Sequence, residues 1–206
     1  MRTRRLVPIV GVGLALIPAI WRTVHRLRQL PYPFWMTVTP FTDWLYGTST
    51  ILERLDLHPG QHVLEVGPGL GRLLLPAASR VLPGGDVTGV EIAPGIAEAL
   101  RERAAAAGIT NLTVIEGNAA TQQLPVEHVD VVYLAAVLGE IGDRVAAVRR
   151  LHDALKPGGM LIIIEGWPDP HHQSLEAVEY LVAPMGFARV SVSRAGGRYT
   201  AKFKRQ

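Results

Sequence analysis

His62-Val63-Leu64-Glu65-Val66-Gly67-Pro68-Gly69-Leu70-Gly71-Arg72 is the stretch that decides the fold. Val63, Leu64 and Val66 make a short apolar strand with one acid inside it. Three glycines follow at once, and an apolar, helix-compatible run starts near Leu73. A strand that ends in glycines and opens into a helix offers bare backbone N–H groups at a helix N-terminus, a place suited to a nucleotide-like ligand. A plain tight turn in an α/β fold would read the same way, so the rest of the chain has to support the ligand.

Spacing narrows the choice. The dinucleotide fingerprint is G-x-G-x-x-G. Here the third glycine comes one residue early, as Gly67-x-Gly69-x-Gly71, and Arg72 stands where the fingerprint has its last glycine. Glu65 lies two residues before the first glycine. Outward from this loop the chain alternates strand-like and helix-like runs, the mark of a parallel sheet with helices on both faces. Strands are expected over 62–66, 86–90, 112–115, 129–134, 160–165 and 187–193, and helices over 50–57, 73–81, 94–107, 143–155 and 175–182. Gly196-Gly197 predicts a tight turn into a last strand over 199–204, antiparallel to the strand before it. The expected class is α/β, a Rossmann-like doubly wound sheet, mostly parallel with an antiparallel last strand.

The pattern E-x-G-x-G-x-G at 65–71 resembles motif I of the class I S-adenosylmethionine (SAM) methyltransferases. Further pieces follow in order, each expected at the carboxyl end of a strand, where open α/β sheets bind ligands. They are Glu91, Gly117-Asn118-Ala119 and Leu134-Ala135-Ala136-Val137, with Leu155-Lys156-Pro157-Gly158-Gly159 as a turn before the fifth strand. The resemblance covers about residues 50–204. Val137-Leu138-Gly139-Glu140-Ile141 and Trp167-Pro168-Asp169-Pro170-His171 look like a bacterial subgroup similar to the ubiquinone/menaquinone C-methyltransferases and to small-molecule and lipid methyltransferases. It implies the class I methyltransferase fold, SAM as methyl donor, and a cofactor-binding set of Glu65, Gly67, Pro68, Gly69, Gly71, Glu91, Ile92, Asn118, Ala119 and Ala135. In that set Glu65 orients the loop and the ammonium end of the ligand, and Glu91 accepts the ribose hydroxyls. Asn118 departs from the family, which usually has Asp-Ala there, yet its amide oxygen can still accept from the adenine amine.

Methyl transfer is an in-line displacement from a sulfonium, and much of its catalysis comes from a near-attack geometry. No metal or obligate nucleophile is required. A general base is needed when the acceptor loses a proton as it reacts. Glu140, Glu165, Asp169, His171 and His172 are the candidates near strand ends, with His171 preferred and Glu140 next. Each has an ordinary alternative: a helix N-terminal charge for Glu140, a turn residue for Asp169, a solvated loop pair for the histidines. Adjacent histidines rarely face one ion together, and no metal ligand set is expected.

The chain has 206 residues, a net charge of +3 and no cysteine. That excludes disulfides, thiolate nucleophiles and cysteine-ligated metals. Arg2, Arg4, Arg5, Arg22, Arg26 and Arg28 crowd the N-terminal region, around an uncharged run over residues 6–20. As a helix this run spans about 22 Å, short of the roughly 30 Å hydrocarbon core, and Pro8 and Pro18 interrupt it. A signal peptide would also read as basic then apolar, but Pro18-Ala19-Ile20-Trp21 is a poor cleavage sequence. Residues 1–30 are therefore expected to be an apolar helix that anchors the chain in or on a membrane, against the alternative of a helix buried on the domain. Residues 31–60 hold Tyr32, Phe34, Trp35, Phe41, Trp44 and Tyr46 and read as an aromatic cap with a helix. By the resemblance, residues 61–206 are expected to form the SAM-binding domain.

The expected function is SAM-dependent methylation of a small hydrophobic acceptor, lipid or quinone-like, by a catalytic domain on the cytoplasmic face of a membrane. An NAD(P)-dependent oxidoreductase and a non-catalytic SAM-binding scaffold are the alternatives. A nucleic-acid partner is not expected, because the basic residues sit beside an apolar segment and not on a separate reading domain.

Overall fold

A computed structural model describes residues 47–125, 127–166 and 169–206. The expected anchor over 1–30, the aromatic residues of the cap up to Tyr46, and Trp167-Pro168 lie outside the described residues. The elements in order are α1 (Thr48–Leu55), β1 (His62–Val66), α2 (Leu74–Arg80), β2 (Asp86–Glu91), α3 (Pro94–Ala106), β3 (Leu112–Glu116), β4 (Val129–Ala135), a single 3-10 turn (Leu138–Glu140), α4 (Arg144–Ala154), β5 (Leu155–Gly166), α5 (Leu175–Val182), a second 3-10 turn (Ala183–Met185), β6 (Phe187–Ala195) and β7 (Arg198–Arg205).

The seven strands lie in the order β3-β2-β1-β4-β5-β7-β6. Strands β1 to β5 pair in parallel, and β7 runs antiparallel to both β5 and β6. The period of two along the central strands sorts their side chains onto two faces. Val63, Val131, Tyr133, Ile162 and Ile164 pack with Ile51, Leu52 and Leu55 of α1, Leu74 and Ala77 of α2, and Leu100 of α3. Leu64, Val132, Leu134, Leu161 and Ile163 pack with Val148 and Leu151 of α4 and Val178 and Val182 of α5. Burying both faces explains why these strands read as nearly unbroken apolar runs. It also makes Glu65, inside β1 and 3% exposed, an exception that needs a partner.

Helix starts follow their caps. The Asp143 side chain accepts from Ala146 N at 2.9 Å at the start of α4, and Ser174 does the same for Ala177 N at 3.2 Å at the start of α5. α1 is shorter at its C-terminal end than expected, because Asp56 takes a left-handed conformation at φ 56 and turns the chain there. β5 starts earlier than expected. Leu155 pairs with Val129 before the ladder slips and resumes at Val131↔Met160, so the Lys156-Pro157-Gly158-Gly159 turn is a bulge within the strand. At the last hairpin Gly196 and Gly197 have φ of 58 and 76, the two positive angles that a two-residue turn of this hand requires.

The chain runs outward from β1 through β2 to β3, then returns to place β4 on the other side of β1. That reversal opens a crevice beyond the carboxyl ends of β1 and β4, and the glycine loop 67–71 lies in it. Gly71 closes the loop against the core. It has φ +82, and a Cβ there would sit 2.6 Å from Leu100 Cδ1 and 2.7 Å from Leu75 Cγ. Gly60 has a similar φ of +84 with nothing within 4 Å of such a Cβ. Gly60→Ala therefore measures the backbone cost alone, about 1 kcal/mol, while Gly71→Ala adds overpacking for a total of about 2–4 kcal/mol. Urea midpoints of the two variants check this, and equal losses would contradict the packing described.

Candidate functional site

Glu65 sits at the base of the crevice. β1 and β4 place it directly beside Tyr133. The Tyr133 hydroxyl, fully buried, donates to Glu65 Oε2 at 2.7 Å. Burial pushes the Glu65 carboxyl up to about 7, with the Tyr133 hydrogen bond and the Arg72 charge pulling down and the Glu91 charge adding to the rise. Arg72 is itself held by Thr48 Oγ1 of α1 at 2.9 Å. Tyr133 is thus a site residue that the sequence motif does not contain. Its one signal is a polar-tipped aromatic within the aliphatic run that follows Asp130 in strand β4.

Above Glu65 the loop is shaped by close contacts on two sides and open space in the middle. Gly67 has φ +66, and a Cβ there would meet Val137 Cγ2 at 2.6 Å, so the glycine loop and the segment after β4 press together. Pro68 is buried under the loop, and a Cβ on Gly89 of β2 would meet its ring at 2.9 Å. Gly69 has φ +55 and nothing within 4 Å of the place a Cβ would take. Its N–H donates to Glu91 Oε2 at 3.1 Å, and Ala93 N donates to Glu91 Oε1 at 3.0 Å. Glu91 is 5% exposed and ties the loop to the start of α3. Each of its oxygens keeps a second lone pair for a ligand hydroxyl. Ile92 beside it is 60% exposed, an apolar side chain facing solvent next to a polar cradle.

The two outer loops complete this side. Asn118 is exposed and follows β3, and its Oδ1 accepts from Ala120 N at 2.9 Å in a local turn, while Ala119 is buried behind it. That bond leaves one lone pair on the amide oxygen. Ala135 ends β4, and Ala136 has φ 55, a left-handed angle uncommon for a residue other than glycine and often found at working sites.

The sequence-derived acid/base candidates gather across the crevice, after β4 and β5. Glu140 lies in the 3-10 turn and not at a helix start, since Asp143 takes the capping role. Burial first, then the charge of Asp169, pushes the Glu140 carboxyl up, and His171 pulls it down. Glu140 and His171 are thus brought within each other's field. Gly139 sets that approach: a Cβ there would overlap His171 O. The exposed His171 donates its backbone N–H to Asp169 Oδ1 at 2.8 Å, and His172 Nδ1 lies 2.7 Å from Asp169 O. Behind them Glu165 is 1% exposed, and burial raises its carboxyl to about 7 although Gln173 N donates to Oε2 at 3.1 Å. Glu165 Oε1 and Asp169 Oδ2 are buried without a hydrogen-bond partner among the described residues. The arrangement therefore has a glycine cradle with the buried Glu91 carboxylate on one side and a cluster of carboxyl and imidazole side chains on the other.

Comparison with known proteins fits this geometry. Residues 63–159 match a family described as "Methyltransferase domain". Nocamycin O-methyltransferase of Saccharothrix syringae is 34% identical over 120 residues, 58% of this chain and 43% of that protein. A demethylmenaquinone methyltransferase of Symbiobacterium thermophilum is 34% identical over 124 residues, 60% of this chain and 49% of that protein. The chain spans about half the length of these relatives. Among solved structures, a SAM dependent methyltransferase from Aquifex aeolicus superposes with a TM-score of 0.74 at 21% identity, covering 82% of this chain and 94% of that one, and so shares the fold.

The buried acids give stability a pH dependence with a definite sign. Glu65 and Glu165 have folded pKa values of about 7 against an ordinary 4.5. Between these values each of the two acids binds more proton in the folded chain than in the unfolded one, so their contribution to stability is fully present below about 4.5 and is lost as pH rises through about 7. Each acid contributes a fall of roughly 1 kcal/mol per pH unit over that window. Urea unfolding from pH 5 to 7 should show the midpoint dropping, and the combined Glu65→Gln and Glu165→Gln variant should flatten the profile. A wild-type midpoint that rises over this range would contradict the two burials.

Proposed function

We propose that this chain, whose residues 63–159 form a methyltransferase domain, binds SAM in the crevice above β1 and β4 and transfers its methyl group to a small hydrophobic acceptor. The observation that carries the reading is the cradle itself. Gly69 leaves open the volume that a Cβ would fill, beside a buried Glu91 whose carboxylate already aligns the loop. These residues fit the cofactor. Glu65 takes the ammonium end, and Gly67, Pro68, Gly69 and Gly71 let the methionine part lie against backbone. Glu91 accepts the ribose hydroxyls, Ile92 and Ala119 flank the adenine, Asn118 accepts from its amine, and Ala135 leaves room at the reacting centre.

Bound SAM supplies an electrophilic methyl group on sulfur. The chain's part is to place the acceptor in line with it and to exclude water. An acceptor hydroxyl or acidic carbon gives its proton to His171, and the neighbouring Glu140 stabilises the imidazolium that results. Glu165, its carboxyl pushed up to about 7 by burial, keeps that side of the crevice able to hold a proton near neutral pH. An isoprenoid-quinone or polyketide-like acceptor is favoured by the relatives named for menaquinone and nocamycin chemistry. Residues 1–30 bring such an acceptor within reach by holding the chain at the cytoplasmic face of a membrane. Among the described residues no helix is long and apolar enough to cross one, so this role rests on the apolar N-terminal run alone.

Calorimetry should show saturable binding of SAM and S-adenosylhomocysteine to the full chain. Gly69→Leu should weaken it at least 100-fold while keeping the fold, because the added side chain enters open space and the positive φ of +55 there costs only about 1 kcal/mol of backbone strain. Incubation with methyl-labelled SAM and a bacterial membrane lipid extract should place label in an extractable product, identified by mass. His171→Ala should slow that transfer at least tenfold, on the scale of a lost general base, with SAM affinity unchanged. No SAM binding at millimolar concentration would sink the proposal. Binding without label transfer to any lipid-extract component would leave a SAM-binding scaffold in its place.

A further inference from the structure

The amino-terminal edge of the sheet carries a second constellation, at the far end of β1 from the glycine loop. His62 opens β1, Asp86 opens β2 and His128 leads into β4. One donor atom from each lies within 4.8 Å of the others. His62 Nδ1 is 2.7 Å from Asp86 Oδ2. The His62 and His128 rings stack with centroids 4.3 Å apart and a 31° tilt. The backbone beneath is fixed: His62 N donates to Asp130 Oδ2 at 2.8 Å, Lys156 Nζ occupies Asp130 Oδ1 at 2.7 Å, and His128 N donates to Ala154 O at 3.0 Å. Asp130 is thereby committed elsewhere, and the three remaining groups face one another at a partly open surface.

We propose that His62, Asp86 and His128 bind a borderline divalent transition-metal ion, for which zinc is the natural probe. An ordinary ion pair accounts for His62 and Asp86 and gives no reason for the second imidazole. Two imidazolium rings 4.3 Å apart would repel, whereas one ion takes both rings as neutral donors and the carboxylate as an anionic one. Two histidine nitrogens and a carboxylate oxygen are a known zinc set, completed by water. Tetrahedral donors about 2.0–2.1 Å from zinc lie about 3.3 Å from one another. The donor atoms now lie within 4.8 Å of one another, with His62 Nδ1 and Asp86 Oδ2 at 2.7 Å, so binding would move all three side chains slightly, the exposed His128 ring most readily. The ion would clamp the starts of three adjacent central strands. It would sit about 16 Å from the glycine loop, the length of five strand residues, and so outside the methyl-transfer chemistry.

The test titrates Zn²⁺ into chelator-treated full chain at pH 7.5 by calorimetry and follows the thermal midpoint. The expected result is one equivalent bound with a micromolar dissociation constant and a midpoint raised by several degrees when the metal is in excess. His128→Ala and Asp86→Asn should each weaken binding at least tenfold and remove the shift, with SAM binding unchanged in both. The exposed position of His128 keeps that variant folded. No saturable binding below about 100 μM overturns the proposal. So does binding that survives in both variants, which would place the zinc on other histidines such as His171 and His172.

Discussion

The bond on which the site depends is the one from the Tyr133 hydroxyl to the Glu65 carboxylate, 2.7 Å long and buried between β1 and β4. A carboxylate inside a sheet covered on both faces is costly to leave alone. Tyr133 offsets that cost with one donor and, being fully buried itself, has few other places to donate. The pair lies at the point where the strand order reverses. It therefore joins the half of the sheet that carries the glycine loop to the half that carries Glu140, Glu165, Asp169 and His171. Arg72 and Glu91 complete the local field, one opposing and one reinforcing the rise in the Glu65 pKa. A group poised near 7 in this position responds strongly to any cation placed above it.

The loops beyond the strands are held by hydrogen bonds such as those of Glu91 and by two close approaches at glycines. Gly67 against Val137 locks the glycine loop to the segment after β4, and Gly139 against His171 locks that segment to the loop after β5. Glycine at both places permits the approach. The two contacts form a chain across the crevice from donor side to acceptor side. At its far end Glu165 Oε1 and Asp169 Oδ2 remain buried without a partner among the described residues. Buried polar atoms of this kind are uncommon in native folds.

Much of this was legible in the chain. The alternation of apolar strands with helices specified the doubly wound sheet, and Gly196-Gly197 specified the antiparallel return. The helices over 143–155 and 175–182 were read to within a residue of their observed starts, which the Asp143 and Ser174 caps fix. Glu65 and Glu91 were found by spacing from the glycines. What escaped was long-range. Tyr133 reaches Glu65 across 68 residues of sequence, and a register between two strands is not written in either one. The role of Gly139 depends on where the loop after β5 passes. The early start of β5 escaped because Pro157 and two glycines read as a stop, and pairing with Val129 overrode that local preference. His62, Asp86 and His128 likewise gather only once the sheet has formed.

The central claim is that the Glu65–Tyr133 pair lies under the ammonium end of bound SAM. An ammonium above Glu65 lowers its pKa from about 7, so binding expels a proton and affinity rises with pH toward 7. The direct measurement is SAM calorimetry at pH 6 in buffers of different ionisation enthalpy, for the natural chain and for Glu65→Gln. The account predicts release of close to one proton by the natural chain and of none by the variant. Equal proton release by both, or none by either, would contradict it.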